Sequence, residues 1–363
     1  MTPAGSGAAV ASIDRFVPHV STVEANRGQL VGLFLRERAV QPVAAQAPVV
    51  LFVHGGFAPS AVAYDLDHGD YSYMAALARS GLDVFAMTHT GYGASPKPMM
   101  DDPCNVEPAF QDALIPHVLK EPCSPRYKRK LLSSQAEWDE IDTVVRYIMD
   151  LRKVQRVSLI GWSIGAPRVG GYAALNPGVV DKLVMLGPAP FSSSKAPADP
   201  MPEPGAPTRL QSRAMLLDER WRADVRCEGQ IEDPQICDVV WRELMTQDNL
   251  GSQWAGDGRG IMRAPTRSQY GWQQHVPLIK APTLILLGEF DSYQPRRDSW
   301  QALTVEHRVF FKINCASHFM QFEKPRHVLY RLTAEWLLQG TANGAARGEF
   351  SADHEGRIKP LAG

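Results

Sequence analysis

Hydrophobic positions along the chain fall into two recurring patterns: short, mostly apolar runs, and longer stretches with apolar residues three or four apart. Val49-Val50-Leu51-Phe52-Val53, Asp83 to Met87, Val157 to Ile160, Lys182 to Leu186, Thr283 to Leu287 and Val309 to Ile313 are of the first kind. Such runs predict strands buried on both faces. Tyr71 to Ser80, Ala136 to Leu151 and Arg326 to Gln339 are of the second kind and predict helices. In the middle one, Trp138, Ile141, Val144, Val145 and Ile148 mark the buried stripe. Strand and helix alternate, which implies an α/β fold with a mostly parallel sheet covered by helices on both faces. Nearer the start, Val20 to Glu24 and Leu30 to Leu35 flank Asn26-Arg27-Gly28 and predict an antiparallel hairpin.

Two stretches interrupt the alternation. Residues 96–135 are rich in proline and charge. Residues 190–280 open on a Pro/Ser/Ala run and continue with amphipathic patterns that contain Trp221, Trp241, Trp254 and Trp272, half of the eight tryptophans. The expected organisation is a core over 1–189, an inserted helical cap over 190–280, a return to the core over 281–340, and a flexible tail over 341–363.

Composition narrows the classes. Hydrophobic residues at 44% and charged residues at 21% exclude disorder along the whole chain. Lys+Arg 38 against Asp+Glu 39 leaves a formal charge of -1, with no basic excess for nucleic acid. No apolar run approaches the ~20 residues that span a bilayer. The opening MTPAGSGAAVASIDRF lacks the basic start and apolar core of a signal peptide, so a cytoplasmic protein is expected. None of the five cysteines forms a CxxC pair or a zinc-spaced cluster. Five reduced thiols are the expectation, with Cys104–Cys123 and Cys227–Cys237 as loop-closing alternatives.

The sharpest chemical signal is Gly161-Trp162-Ser163-Ile164-Gly165, between a strand and a helix. A serine on that turn is thrust out at the carboxyl edge of the sheet, and the helix N-terminus favours developing negative charge. A serine hydroxyl needs a base to take its proton, and the base needs an orienting acid. Both follow in the order Ser, Asp, His. Asp291 stands just beyond an apolar strand, with Glu289 its local competitor, and His318 lies in Asn314-Cys315-Ala316-Ser317-His318-Phe319 after the last core strand. His54-Gly55-Gly56-Phe57 follows the first core strand. There the N–H of Gly56, or of Phe57, could join that of Ile164 in holding an oxyanion.

These four segments resemble the α/β-hydrolase superfamily, and Thr90-Gly91-Tyr92-Gly93-Ala94-Ser95 is similar to a turn that many members carry. The likeness covers roughly residues 20–190 and 280–340, and residues 190–280 fall where the family inserts its cap. It implies Ser163 as nucleophile, His318 as base, Asp291 as acid, and Gly56 and Ile164 as oxyanion donors, with no metal and no organic cofactor. Ala166-Pro167 departs from the family, where many members have another glycine. The expected partner is a small-molecule ester or lactone. The same machinery serves amide and carbon–carbon bond hydrolysis, and a non-catalytic ligand receptor is the reading from another class. The four tryptophans suggest a small to medium, mostly apolar substrate.

Weaker signals are structural in expectation. Asp65, Asp67, His68 and Asp70 have the spacing of cation ligands but lack the glycine and terminal glutamate of a calcium loop. Arg168 is read as half of an ion pair rather than as a substrate contact.

Overall fold

The computed structural model describes residues 9–44, 46–56, 58–190, 193–292 and 298–361. Its strands are β1 Val10–Val20, β2 Leu30–Val40, β3 Val49–Val53, β4 Asp83–Met87, β5 Leu132–Ser133, β6 Val157–Trp162 and β7 Val180–Leu186. They continue with β8 Thr208–Gln211, β9 Met262–Pro265, β10 Arg267–Ser268, β11 Thr283–Gly288, β12 Arg308–Ile313, β13 Gly348–Ala352 and β14 Ile358–Pro360. Ten of them form one sheet in the order β1-β2-β4-β3-β6-β7-β11-β12-β13-β14. From β4 to β13 every neighbour is parallel, and the antiparallel pairs lie at the two ends.

The period of two explains why β3 is buried throughout. Val50 and Phe52 join one apolar cluster, whereas Val49, Leu51 and Val53 join the other. The helix Ser134–Arg152 covers the second face with Trp138, Ile141, Val144, Val145 and Ile148. The helix Arg326–Gln339 covers the first with Val328, Leu329, Leu332 and Trp336. At ~25 cal/mol per Å² of apolar surface, these two covered faces are the main driving force of the fold.

Two expectations need correction. The expected flexible tail over 341–363 is, as far as residue 361, not loose: β13 pairs in parallel with β12, and β14 turns back on β13. Phe350 stacks on Phe311 with ring centroids 5.3 Å apart, and Trp300 donates to Glu349 at 2.9 Å. The glycine and alanine content concealed the alternation of Phe350 and Ala352, which is enough for a strand beside an existing edge.

The stretch 190–280 is not purely helical. The antiparallel pair β8–β9 accompanies a π-helical turn Ala214–Trp221 and the helix Ile236–Gln247. It is also joined to the earlier excursion. β10 pairs with β5, Val106 bridges to Thr208, and Arg129 bridges to Pro204. Among the described residues, no helix is long and apolar enough to cross a membrane.

Cysteine pairing also departs from expectation. Cys104 and Cys123 are joined, but Cys227 pairs with Cys315 across 88 residues, and Cys237 is a buried free thiol. Cys237 lies in a helix whose apolar face is turned into the core, which withdraws it from Cys227. Asp65 is held by Arg36, Arg38 and Ser72, His68 by Asp233, and Asp70 by Arg326, so the acidic stretch near residue 65 is a set of ion pairs.

Candidate active site

Every chemically marked segment lies at the carboxyl end of a parallel strand: His54 after β3, Ser163 after β6, Asp291 after β11 and His318 after β12. This is the edge at which open α/β sheets bind ligands. Ser163 has φ 57, a left-handed conformation that costs a non-glycine residue of order 1 kcal/mol or more. Its N–H donates to the carbonyl of Leu186 at 2.9 Å, which fixes the turn. The flanking glycines are required by contact. A Cβ at Gly161 would strike the backbone of Gly165, and one at Gly165 would strike the carbonyl of Val53. Pro167 falls in the first turn of the helix Gly165–Leu175, where its missing N–H would have no intrahelical acceptor. The departure at Ala166-Pro167 therefore leaves the turn unaltered.

His318 and Asp291 are joined. His318 Nδ1–H donates to Asp291 Oδ2 at 2.8 Å, and both side chains are buried. This leaves Nε2 of the imidazole as the proton acceptor. Glu289 is turned elsewhere, accepting from Lys312 at 3.1 Å and from the N–H of Cys315 at 3.0 Å. Gly187 was not singled out from the sequence. A Cβ there would lie 2.8 Å from Asp291 Oδ2 and 3.1 Å from His318 Nδ1, so a bare backbone after β7 makes room for the pair.

Ser163, Ile164, Gly56 and His318 line one cavity of about 220 Å³. Among the described residues, the N–H groups of Gly56 and Ile164 donate to no protein oxygen. Phe57, the other expected donor, lies outside the described residues. The turn that carries Gly56 is supported from below. The N–H of His89 donates to His54 Nε2 at 3.1 Å, so the His54 proton sits on Nδ1 and is given to the carbonyl of Gly55 at 2.7 Å. Burial, reinforced by Arg168, holds the His54 imidazole well below its ordinary pKa and keeps it neutral. Arg168 pairs with Glu137 and donates to the carbonyl of His54 at 2.7 Å, as the structural reading expects.

Residues from the stretch 190–280 also line this cavity and brace the loops beside it. Asp224 accepts from the N–H and hydroxyl of Ser292, the residue after Asp291, at 3.2 and 2.5 Å. Glu323 is fully buried and accepts from Ser317 N–H at 2.8 Å, Ser317 Oγ at 2.5 Å, Trp221 at 2.9 Å and Gln230 at 3.1 Å. Burial raises its pKa while these donors oppose the shift. The Cys227–Cys315 link ties the same insertion to the loop that carries His318.

The four tryptophans of the insertion do not line the cavity. Trp221 stacks on Phe319 with centroids 5.2 Å apart, and Trp241 donates to the carbonyl of Arg259 at 2.8 Å. Trp254 lies beneath Arg263, and Trp272 packs against Gly170. The insertion instead presents Arg209, Gln211, Arg220, Arg267 and Gln269, so the apolar pocket expected from tryptophan content is not what the structure holds. Tryptophan content signals a large buried surface, and it does not tell a core from a binding wall.

The family described as "alpha/beta hydrolase fold" matches residues 48–325. The chain belongs to that family. A serine hydrolase involved in carbazole degradation is similar in fold, with a TM-score of 0.53 at 17% identity over 90% of this chain and 99% of that one. A thermophilic esterase from Thermogutta terrifontis, in a malate-bound structure, has a TM-score of 0.53 at 15% identity, covering 89% of this chain and 98% of that one. A serine hydrolase from the polyaromatic-hydrocarbon-degrading Cycloclasticus zankles reaches 0.50 at 13% identity, with 91% and 98% covered. No curated protein sequence matches the chain. For this α/β hydrolase, the fold is therefore shared with these two serine hydrolases and the esterase.

Proposed function

We propose that the chain hydrolyses a carboxylic ester through an acyl-enzyme on Ser163. The observation that carries this reading is the buried 2.8 Å His318–Asp291 hydrogen bond on a cavity that Ser163 lines from a left-handed turn. His318 Nε2 takes the hydroxyl proton as Ser163 Oγ attacks the ester carbonyl. The carbonyl electron pair moves to oxygen, where the N–H groups of Gly56 and Ile164 stabilise the oxyanion, and Asp291 stabilises the imidazolium. Collapse expels the alkoxide, which takes the proton from His318 and leaves as the alcohol. Water then repeats the sequence on the acyl-enzyme, releasing the acid and restoring Ser163. The steps draw on three side chains, two backbone N–H groups and water.

The test pairs covalent labelling with turnover. A fluorophosphonate should add one phosphonyl group, located at Ser163 by peptide mass, and Ser163→Ala should lose at least about 10³-fold in kcat on short p-nitrophenyl esters. Unchanged turnover in Ser163→Ala would overturn the proposal. Stoichiometric ligand binding with no turnover on a broad ester panel would favour the receptor reading instead.

A further inference from the structure

The lining of the cavity above Ser163 is unusual in charge. Arg209 comes from β8, Arg220 from the π-helical turn Ala214–Trp221 and Arg267 from β10, so three separate segments each deliver a guanidinium to one small space. Gln211 and Gln269 add two amides, and among the described lining residues there is no carboxylate.

Among the described residues, neither Arg209 nor Arg267 is salt-bridged to an acid. Other arginines shielded from solvent in this chain are: Arg168 with Glu137, Arg263 with Asp248, Arg326 with Asp70. Arg267 gives Nη1 to the Tyr92 hydroxyl at 2.6 Å, while its Nη2 and that of Arg209 reach the surface of Gly56. A Cβ at Gly56 would lie 2.9 Å from the first and 3.4 Å from the second. Nε of Arg267 and both amide atoms of Gln211 are buried with no hydrogen-bond partner, and each such group costs about 1–3 kcal/mol. Like charges held together add to that cost. Burial, with Arg168 and Arg209 close by, keeps Arg267 below its ordinary pKa, and burial with Arg209 pushes Arg220 down to about 10. An anion in the cavity would offset the charge crowding and accept from the unpaired N–H donors of Arg267 and Gln211, and the planar guanidinium fork suits a carboxylate.

We propose that Arg209, Arg220 and Arg267, with the Gln211 amide, bind a free carboxylate on the substrate, so that the chain acts on short esters bearing a second, ionised carboxyl group. This rests on the hydrolase reading for the bond cleaved, but not for the binding of the anion. The volume of about 220 Å³ restricts the substrate to a few carbons beyond the two carboxyl groups.

Two matched pairs of esters test the proposal and distinguish where the anion sits. Monomethyl succinate against dimethyl succinate puts the charge on the acyl side. Carboxymethyl butyrate against its methyl ester puts it on the alcohol side. In at least one pair, kcat/KM for the anion should exceed that for the neutral ester by about tenfold or more at pH 7.5. Arg209→Gln and, separately, Arg220→Gln should reduce that ratio about tenfold, with folding checked by thermal midpoint. No preference for the anion in either pair would overturn the subsite. Succinate binding to Ser163→Ala, measured by calorimetry, reads the subsite without catalysis and should weaken about tenfold when Arg209→Gln is added. If Ser163 proves dispensable for turnover while this binding persists, the hydrolase reading fails alone. If neutral esters turn over through Ser163 but succinate does not bind, the subsite fails alone.

Discussion

Arg168 donates from Nη1 to the carbonyl oxygen of His54 at 2.7 Å, so a buried guanidinium on the helix after Ser163 holds the turn that carries Gly56. Ser163, the proposed nucleophile, and Gly56, the proposed oxyanion donor, are thereby tied to the same helix. Its other arm is neutralised by Glu137.

Removing one partner of this buried pair strands the other. Arg168→Met should cost about 3–5 kcal/mol in urea unfolding. The double variant Arg168→Met with Glu137→Met should recover much of that stability while kcat on short esters stays low. Recovery of kcat along with stability would show that the pair supports the fold without positioning the turn.

Asp291 and Glu289 separate cleanly in their contacts, and their variants should separate in rate. Asp291→Asn should lower kcat by on the order of 10⁴-fold, because His318 would lose its orienting acceptor and adopt the wrong tautomer. Glu289→Gln touches only the half-exposed Lys312 and a backbone N–H, so kcat should stay within about twofold. Steady-state kinetics on one ester suffices for both.

Glu140 gives a pH signature. Burial pushes its carboxyl up to about 7, opposed by hydrogen bonding to Thr90, and it accepts from His89 Nδ1 at 2.6 Å. A raised folded pKa means that the native state binds more protons than the unfolded chain between about 4.5 and 7. Wild-type stability should therefore fall as pH rises through that window and level off above it. Glu140→Gln should remove this part of the slope, gaining up to about 3 kcal/mol relative to wild type at pH 8. Chemical denaturation of both proteins at several pH values measures the difference.

Thiol counting tests the cysteine pairing. Denatured without reductant, the protein should show one reactive thiol, from Cys237, and five after reduction. Non-reducing peptide mapping should recover Cys227 linked to Cys315. A link from Cys227 to Cys237 would contradict the structure. By the chain-entropy argument, closing a loop of this length stabilises by about 4.6 kcal/mol, and Cys315→Ala should lose a comparable amount.

The sheet was legible because its central strands are covered on both faces, which turns them into mostly apolar runs. Ser163, Asp291 and His318 could be singled out because each lies within five residues of the end of such a run, at the edge where loops converge. What could not be read has a common cause, namely contact between segments distant in sequence. Arg209, Arg220 and Arg267 sit on three short elements whose local patterns are unremarkable; the pairing of β8 with β9 and of β10 with β5 places Arg209 and Arg267, and the turn Ala214–Trp221 adds Arg220. Cys227 finds Cys315 for the same reason. Gly187 carried a local signal, a glycine directly after a core strand, but its neighbours Asp291 and His318 are more than a hundred residues away in sequence.

The ribbon of β13 and β14 has a consequence for how the protein behaves in crowded solution. Without it β12 would end the sheet, exposing the backbone of Val309-Phe310-Phe311-Lys312-Ile313, a run rich in aromatic and branched residues. An uncovered strand of that kind recruits strands from other molecules. The ribbon covers it, and β14 closes on Lys359-Pro360, a charge followed by a residue with no N–H to offer. The last strands therefore act as a built-in guard against self-polymerisation at that border of the sheet.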